Sequence, residues 1–260
     1  MDPNAQPAAS LTIVLPAYDE AERIGPALDE LFRYLDRPAV ETGLPATVDV
    51  LVVDDGSTDA TPDLVRARSE AKGRIGAAPR LAVLTVPHGG KGAAVRAGML
   101  AAAGDLVVFA DADMATPPDQ LPLLVVALAA ADVALGSRIQ PDGTDMRASQ
   151  PAYRRLLGRL FHALAAAWVT GPVRDTQCGF KGFRRAAARD LFARQRIFSI
   201  VFDAELILLA RRRGYGIAIV PIVWADRRGS RMRPRLGLAL RVAWDLARIP
   251  IVHRGVRSAR

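Results

Sequence analysis

Asp111-Ala112-Asp113 follows directly on the apolar run Leu106-Val107-Val108-Phe109-Ala110. A short β-branched and aromatic run of this kind reads as a buried strand, and the two acids stand at its carboxyl end. Hard divalent cations take oxygen ligands, and Mg²⁺ in particular uses one or two carboxylates plus substrate phosphates. In extended chain, residues i and i+2 point the same way, so one Mg²⁺ or Mn²⁺ can draw on both Asp111 and Asp113. Three other polar clusters close apolar runs in the same manner. They are Pro16-Ala17-Tyr18-Asp19-Glu20, Asp54-Asp55-Gly56-Ser57 and His88-Gly89-Gly90-Lys91-Gly92. Any one of them is ordinary turn or cap chemistry. Four at successive strand ends describe one cleft, because open α/β sheets bind ligands at the carboxyl ends of their strands.

The elements that must position these clusters alternate. Residues 11–15 read as a strand stopped by Pro16, and Ile24, Leu28, Leu31 and Leu35 follow at helical spacing. Residues 48–53 form a second strand, with Ser57-Thr58-Asp59 as N-cap chemistry for a helix through Leu64 and Ala67. Residues 81–86 form a third strand, the Gly-rich segment opens a helix to about residue 103, and residues 106–110 form a fourth. This alternation predicts βαβ units, a parallel sheet and right-handed crossovers. In the second half the pattern predicts a helix over 122–131 and a short strand at 133–135 before Gly136-Ser137-Arg138. A polar loop over 140–151, an amphipathic helix over 153–169 and a turn-rich connection over 175–183 come next. Helices near 185–194 and 203–213 and a strand over 217–223 complete the reading.

A chain of 260 residues suits one large α/β domain. Its single cysteine, Cys178, excludes an internal disulfide framework and fits a reducing compartment. Cys178 reads as a small packed residue, not a nucleophile, and His88, His162 and His253 lack the spacing of a zinc site. The first residues lack the pattern of a signal peptide, and no apolar run reaches the ~20 residues of a spanning helix. Ten of the 35 basic side chains and one of the 27 acidic ones lie in residues 227–260, so the body before them is close to neutral.

Read in order, Pro16-Ala17-Tyr18-Asp19-Glu20, Val53-Asp54-Asp55-Gly56-Ser57-Thr58-Asp59, Gly90-Lys91-Gly92, Asp111-Ala112-Asp113 and Gly136-Ser137-Arg138 resemble family 2 glycosyltransferases. That resemblance implies an α/β GT-A fold, Rossmann-like, with a mostly parallel central sheet flanked by helices. Three further segments narrow it: Arg174-Asp175-Thr176-Gln177-Cys178-Gly179-Phe180-Lys181, Phe202-Asp203-Ala204-Glu205-Leu206, and Trp224 with Gly229-Ser230-Arg231. The set is similar to dolichyl- and polyprenyl-phosphate sugar synthases, the dolichyl-phosphate β-glucosyltransferase branch above all. The resemblance covers residues 11–231, after a short flexible arm over 1–10 and before a basic segment over 232–260.

What the resemblance implies is inverting transfer of a hexose, glucose or mannose, from a UDP- or GDP-hexose to a polyprenyl phosphate. Carried over residue by residue, Pro16, Ala17, Tyr18 and Glu20 line the base and ribose pocket, and Asp55 with Asp54 hydrogen-bonds the base. Asp111 and Asp113, with Ala112 between them, hold Mg²⁺ or Mn²⁺ against the donor diphosphate. Asp19 stands where the family usually has Asn, and Arg231 where it often has Lys. The physics of the step adds cations. Donor diphosphate and acceptor phosphate repel each other, so Arg138, Arg154, Arg155 and Lys181 are expected around the acceptor phosphate and Arg231 on the donor. Lys91 reads either as a donor-phosphate lysine or as a solvated helix-start residue; the segment lacks a full P-loop pattern. Asp113, Asp175 and Asp203 are the candidate catalytic acids, with Asp203 and Glu205 alternatively a cap and a first-turn residue.

In the C-terminal segment Leu238, Val242, Leu246 and Ile249 recur at helical spacing, Arg241, Asp245 and Arg248 line another face, and Pro250 ends the pattern. Such a helix either lies on an anionic membrane surface or packs on the domain. The first reading makes the protein cytoplasmic and peripherally bound to the inner face of the membrane. A family 2 transferase with a soluble saccharide or metabolite acceptor is the alternative function. A nucleic-acid-binding or regulatory protein is the remaining one, disfavoured because no basic face interleaved with aromatics is present.

Overall fold

A computed structural model describes residues 10–72, 80–146, 165–225 and 236–257, with backbone alone at Ala167 and residues 236–240. Alternation of apolar side chains builds its two-sided core. In β1 (Ser10–Ala17), Leu11, Ile13 and Leu15 enter one layer and Val14 the other. In β4 (Leu106–Ala110), Leu106, Val108 and Ala110 divide from Val107 and Phe109 in the same way, as the period of a strand requires. With β2 (Thr47–Asp54), β3 (Leu81–Thr85), β5 (Val133–Ser137), β6 (Phe180–Arg184) and β7 (Ile217–Pro221), they form one seven-stranded sheet of order β3-β2-β1-β4-β6-β5-β7. The first four strands are mutually parallel, β6 runs antiparallel to both neighbours, and β7 is parallel to β5. The expected mostly parallel α/β sheet is therefore present.

Helices cover both faces. On one lie α1 (Ile24–Leu35) and α6 (Leu121–Ala130), with the short α2 (Ala39–Thr42), α3 (Thr61–Arg66) and α4 (Ser69–Lys72) near that side of β1–β3. On the other lie α5 (Lys91–Ala101), α7 (Arg185–Arg194) and α8 (Phe202–Arg213). The strand order reverses between β1 and β4, which is where such sheets open a ligand crevice.

Several boundaries differ from the sequence reading for identifiable reasons. β1 runs on through Pro16 because β4 pairs only with Leu11 to Val14; beyond that point β1 has a free edge and a missing N–H is harmless. β6 occupies part of the expected turn-rich connection. Its Lys181 and Gly182 disguise a strand that is buried at Phe180, Lys181, Gly182 and Phe183. The predicted helix over 153–169 lies mostly outside the described residues, and Ala166–Thr170 forms a π-helical turn. α9 (Leu236–Val252) continues past Pro250, since a proline in the last turn removes a single ladder bond.

That last helix settles against the body. Leu246 and Ile249 pack with Val169, Ile197, Val201, Ala204 and Leu208 in a third cluster, with Val242 at its margin. Arg212 donates to the carbonyls of Pro250 at 3.3 Å and His253 at 2.7 Å. The apolar stripe of the tail is thus spent on the domain. A second, outward face carries Trp244 at 67% exposure and Ile251 at 59%. Trp168, also exposed, donates from Nε1 to the Ala247 carbonyl at 3.1 Å, so its indole adjoins that outward face. Arg241 and Arg254 of the same segment are also exposed. Among the described residues no helix is long and apolar enough to cross a membrane.

Candidate active site

The ends of β1, β2 and β3 are laced together by side chains on backbone. Asp19 adopts φ 51°, a left-handed conformation that Asn and Asp tolerate. Its Oδ1 accepts from Thr58 N at 2.8 Å, and its own N–H donates to Ser57 Oγ at 2.9 Å. Only an acceptor oxygen is needed there, which Asp supplies as well as Asn. Asp54, buried, accepts from Ser57 N at 3.1 Å. Asp55 accepts from Gly89 N and Gly90 N, both at 2.9 Å. Asp54 and Asp55, expected at the base, thus both hold loops through their carboxylates. The amides of Gly89 and Gly90 likewise face Asp55. Glu20, expected along the ribose pocket, is engaged by Arg23, at 2.6 Å from Nε and 2.5 Å from a terminal nitrogen.

What this lacing presents to solvent is aromatic. Pro16 and Ala17 are strand residues beneath the loop, while Tyr18 is 39% exposed and stands 4.3 Å from the His88 ring, centroid to centroid. His88 Nδ1 lies 2.9 Å from Asp55 Oδ2. The pair is a platform on which a planar base can stack. The sequence placed His88 in a strand-end cluster without giving it a role; its stacking beside Tyr18 supplies one.

Asp111-Ala112-Asp113 is a turn, not extended chain. Met114 N donates to the Asp111 carbonyl at 3.1 Å, and Met114 has φ 51°. The strand alternation expected to align the two acids is therefore absent, and Asp113 Oδ1 accepts from Ala115 N at 3.0 Å. Burial, and then the charge of Asp111, hold the Asp113 carboxyl above its ordinary range. Ala112 is buried under the pair. Lys91 forms an ion pair with Asp111; burial works against its ammonium, but Asp111, then Asp203 and Asp113, keep it protonated beyond its usual range. Gly179 leaves the room: a Cβ there would come within 2.2 Å of Asp111 Oδ2.

Among the described residues no three His, Cys, Asp or Glu side chains gather around a metal position. Two mutually repelling carboxylates, one of them paired with an ammonium, fit Mg²⁺ or Mn²⁺ completed by donor phosphates. Replacement of Lys91 by Met is expected to tighten Mn²⁺ binding to the nucleotide-free protein while lowering turnover, checked by Mn²⁺ titration and initial rates. Weaker Mn²⁺ binding in that variant would contradict competition between the ammonium and the metal.

The remaining candidates pair with each other. Arg138 clasps Asp175 through Nε at 2.8 Å and a terminal nitrogen at 2.7 Å, and its backbone N–H donates to the same carboxylate at 2.8 Å. Burial alone would depress the guanidinium, but Asp175 raises it instead. Trp224 lies 5.5 Å from the Arg138 guanidinium carbon. Lys181 is fully buried, bonded to Asp203 at 2.7 Å and to the Cys178 carbonyl at 2.5 Å. Burial raises the Asp203 carboxyl, with Lys181 and Lys91 opposing. Four candidates are thus paired within the protein, the expected acceptor-phosphate cations Arg138 and Lys181 with the expected catalytic acids Asp175 and Asp203. Cys178 is buried and its thiol is pushed up to about 12 by burial and by Asp175, which suits packing and not nucleophilic work. Arg154, Arg155 and Arg231 lie outside the described residues.

Comparison with known proteins bears on this arrangement. The model of glycosyl transferase family 2 matches residues 12–192. A dolichyl-phosphate β-glucosyltransferase of Trichomonas vaginalis is 36% identical over 94% of this chain and 71% of its own. Those of Drosophila melanogaster and Homo sapiens are 36% and 32% identical, each over 88% of this chain and 71% of its own. The fold is shared with Mycobacterium tuberculosis glucosyl-3-phosphoglycerate synthase, solved with Mn²⁺, UDP and glucosyl-3-phosphoglycerate. The TM-score is 0.61 at 22% identity, over 96% of this chain and 82% of that one. The family match takes in all four strand-end clusters, the Arg138–Asp175 pair and β6 with Lys181, and the chain belongs to glycosyltransferase family 2.

Proposed function

We propose that this chain transfers glucose from a nucleotide sugar to a dolichyl- or polyprenyl-type lipid phosphate, with inversion at the anomeric carbon. The observation that carries the reading is the similarity to dolichyl-phosphate β-glucosyltransferases along the whole described body, acceptor half included. The site supports it chemically. A phosphate monoester is already anionic near neutral pH, so its oxygen attacks C1 without a strong general base while the C1–O bond to the diphosphate breaks. Asp175 and Asp203, each held by a cation, are in keeping with a reaction that asks for none.

In this reading Tyr18 and His88 stack the base, and Pro16 and Ala17 shape the pocket under them. Asp111 and Asp113 would hold the divalent ion, which when bound neutralises charge on the departing diphosphate. Lys91, paired with Asp111 in the ligand-free protein, would meet the donor phosphates. The acceptor phosphate is collected by Arg154 and Arg155 together with the exposed Arg174, and Arg231 closes over the donor. The donor screen is the test: glucose on UDP or GDP, and GDP-mannose, each offered with dolichyl phosphate or with 3-phosphoglycerate, with and without Mn²⁺. Glucose on the lipid is the expected product. Glucose on the soluble acceptor, or mannose on the lipid, would overturn the reading.

The lipid also implies a surface. Trp168, Trp244 and Ile251, with Arg241 and Arg254, suit the interface of an anionic bilayer, where indoles and basic side chains are both favoured. The enzyme would then work as a peripheral protein on the inner, cytoplasmic face of the membrane. Trp244→Glu is expected to weaken sedimentation with phosphatidylserine vesicles and to slow turnover of dolichyl phosphate, sparing a short water-soluble prenyl phosphate. Unchanged vesicle binding would remove this face from the account.

A further inference from the structure

The side chains of Glu205 and His253 take part in none of the contacts described above, yet they are among the most enclosed polar side chains of the described residues, at 0% and 2% exposure. Glu205 lies in the first turn of α8. Its two oxygens accept the backbone N–H groups of Arg196 at 2.8 Å and Ile197 at 2.9 Å. His253, just beyond α9, approaches the same carboxylate with Nε2 at 2.6 Å. A carboxylate only accepts, so Nε2 carries the proton of that bond. One carboxylate thus ties the C-terminal segment to the 195–198 connection between α7 and α8.

That connection is strapped across the first turn of α5. Gln195 Nε2 donates to the Gly92 carbonyl at 3.0 Å, and Gly92 N donates to the Phe198 carbonyl at 3.2 Å. The approach is close enough to require glycine: a Cβ on residue 92 would stand 2.7 Å from the Phe198 oxygen and 2.9 Å from its Cα. The residue before Gly92 is Lys91, whose ammonium meets Asp111. Contact therefore runs from His253 to Glu205, to the strap, to Gly92, and so to the lysine beside the carboxylate pair.

We propose that Glu205 and His253 are positioning residues for the donor site, the docked C-terminal segment fixing the strap and the strap fixing Lys91. This rests on the donor reading of Lys91 and Asp111. Small displacements of a charged group matter, since a misplacement near 1 Å costs about 10²-fold in rate. The tail has other anchors, Leu246 and Ile249 in the third cluster and Arg212 on two carbonyls, so losing the imidazole leaves α9 docked.

The test uses the full chain and loosens the joint from both sides, with His253→Ala on one and Gly92→Ala on the other. Leu246→Ala serves as a control that weakens α9 through apolar contacts alone. Hydrogen exchange of amides 90–94 in the ligand-free protein should quicken in both joint variants, whatever the enzyme transfers. The donor KM should rise about tenfold with the acceptor KM unchanged, and His253→Gln, which keeps an N–H donor, should recover most of the loss. Exchange at 90–94 equal to the wild type, or no faster than in Leu246→Ala at matched Tm, would overturn the latch. Quickened exchange without a change in donor KM would overturn its link to Lys91. Absence of any nucleotide-sugar turnover by the wild type would count against the proposed function instead, and the exchange result would still judge the strap.

Discussion

Asp113→Asn is expected to abolish most turnover while leaving the fold intact or slightly firmer. Charge on the departing diphosphate must be met in the transition state, and losing a preorganised electrostatic contribution of this kind costs roughly 10²–10³ in rate. Burial and the neighbouring Asp111 already hold the Asp113 carboxyl above its ordinary range. A carboxyl whose folded pKa lies above its unfolded one opposes folding once ionised. The metal-free variant should therefore match or exceed the wild-type Tm at neutral pH, and any gain should fade as pH falls through the raised value. In the wild type the same shift places the acid limb of activity above the ~3.9 of an ordinary aspartate, and more Mn²⁺ should move that limb downward. Initial rates against Mn²⁺, with melting curves at pH 7 and at acid pH, check all of this. Wild-type activity of Asp113→Asn in a strong chelator would remove the metal from the account.

Arg138→Ala is expected to act on stability first. Its guanidinium makes two short bonds to Asp175, whose side chain is 1% exposed against 13% for the arginine. Removing one partner of a buried pair strands the other, at a cost of about 3–5 kcal/mol. Replacing both, as Arg138→Met with Asp175→Leu, should recover much of that loss, because the stranded charge is gone. Chemical denaturation of the three proteins decides the matter. An Arg138→Ala protein of unchanged stability that differs only in acceptor KM would restore Arg138 to the acceptor phosphate.

The strand ends that frame the candidate donor half were legible because each is written locally. Each polar cluster ends a run whose apolar periodicity already marks a strand, and a parallel sheet then carries all four ends to one side. The acceptor half was not legible in the same way. Arg138 and Asp175 are 37 residues apart, and Lys181 and Asp203 22. Nothing local tells a cation that will be cancelled by such a partner from one that will meet substrate. β6 was hidden for a related reason, since Lys181 reads as exposed until Asp203 is known to lie against it. The tail carried two faces in one sequence: Leu246 and Ile249 spelled a packing stripe, while Trp244 and Ile251 fell outside it and stayed in solvent.

The central claim is that a glucosyl group is moved onto a lipid phosphate by the acids after β4. The most direct measurement is a mass spectrum of the organic phase after the full chain has been incubated with a glucose nucleotide, dolichyl phosphate and Mn²⁺. The expected product is dolichyl phosphate carrying one added hexosyl unit, lost with chelator and reduced about 10²-fold or more with Asp113→Asn. A lipid recovered unmodified while the glucose nucleotide is consumed, or a lipid product formed equally well by Asp113→Asn, would contradict it.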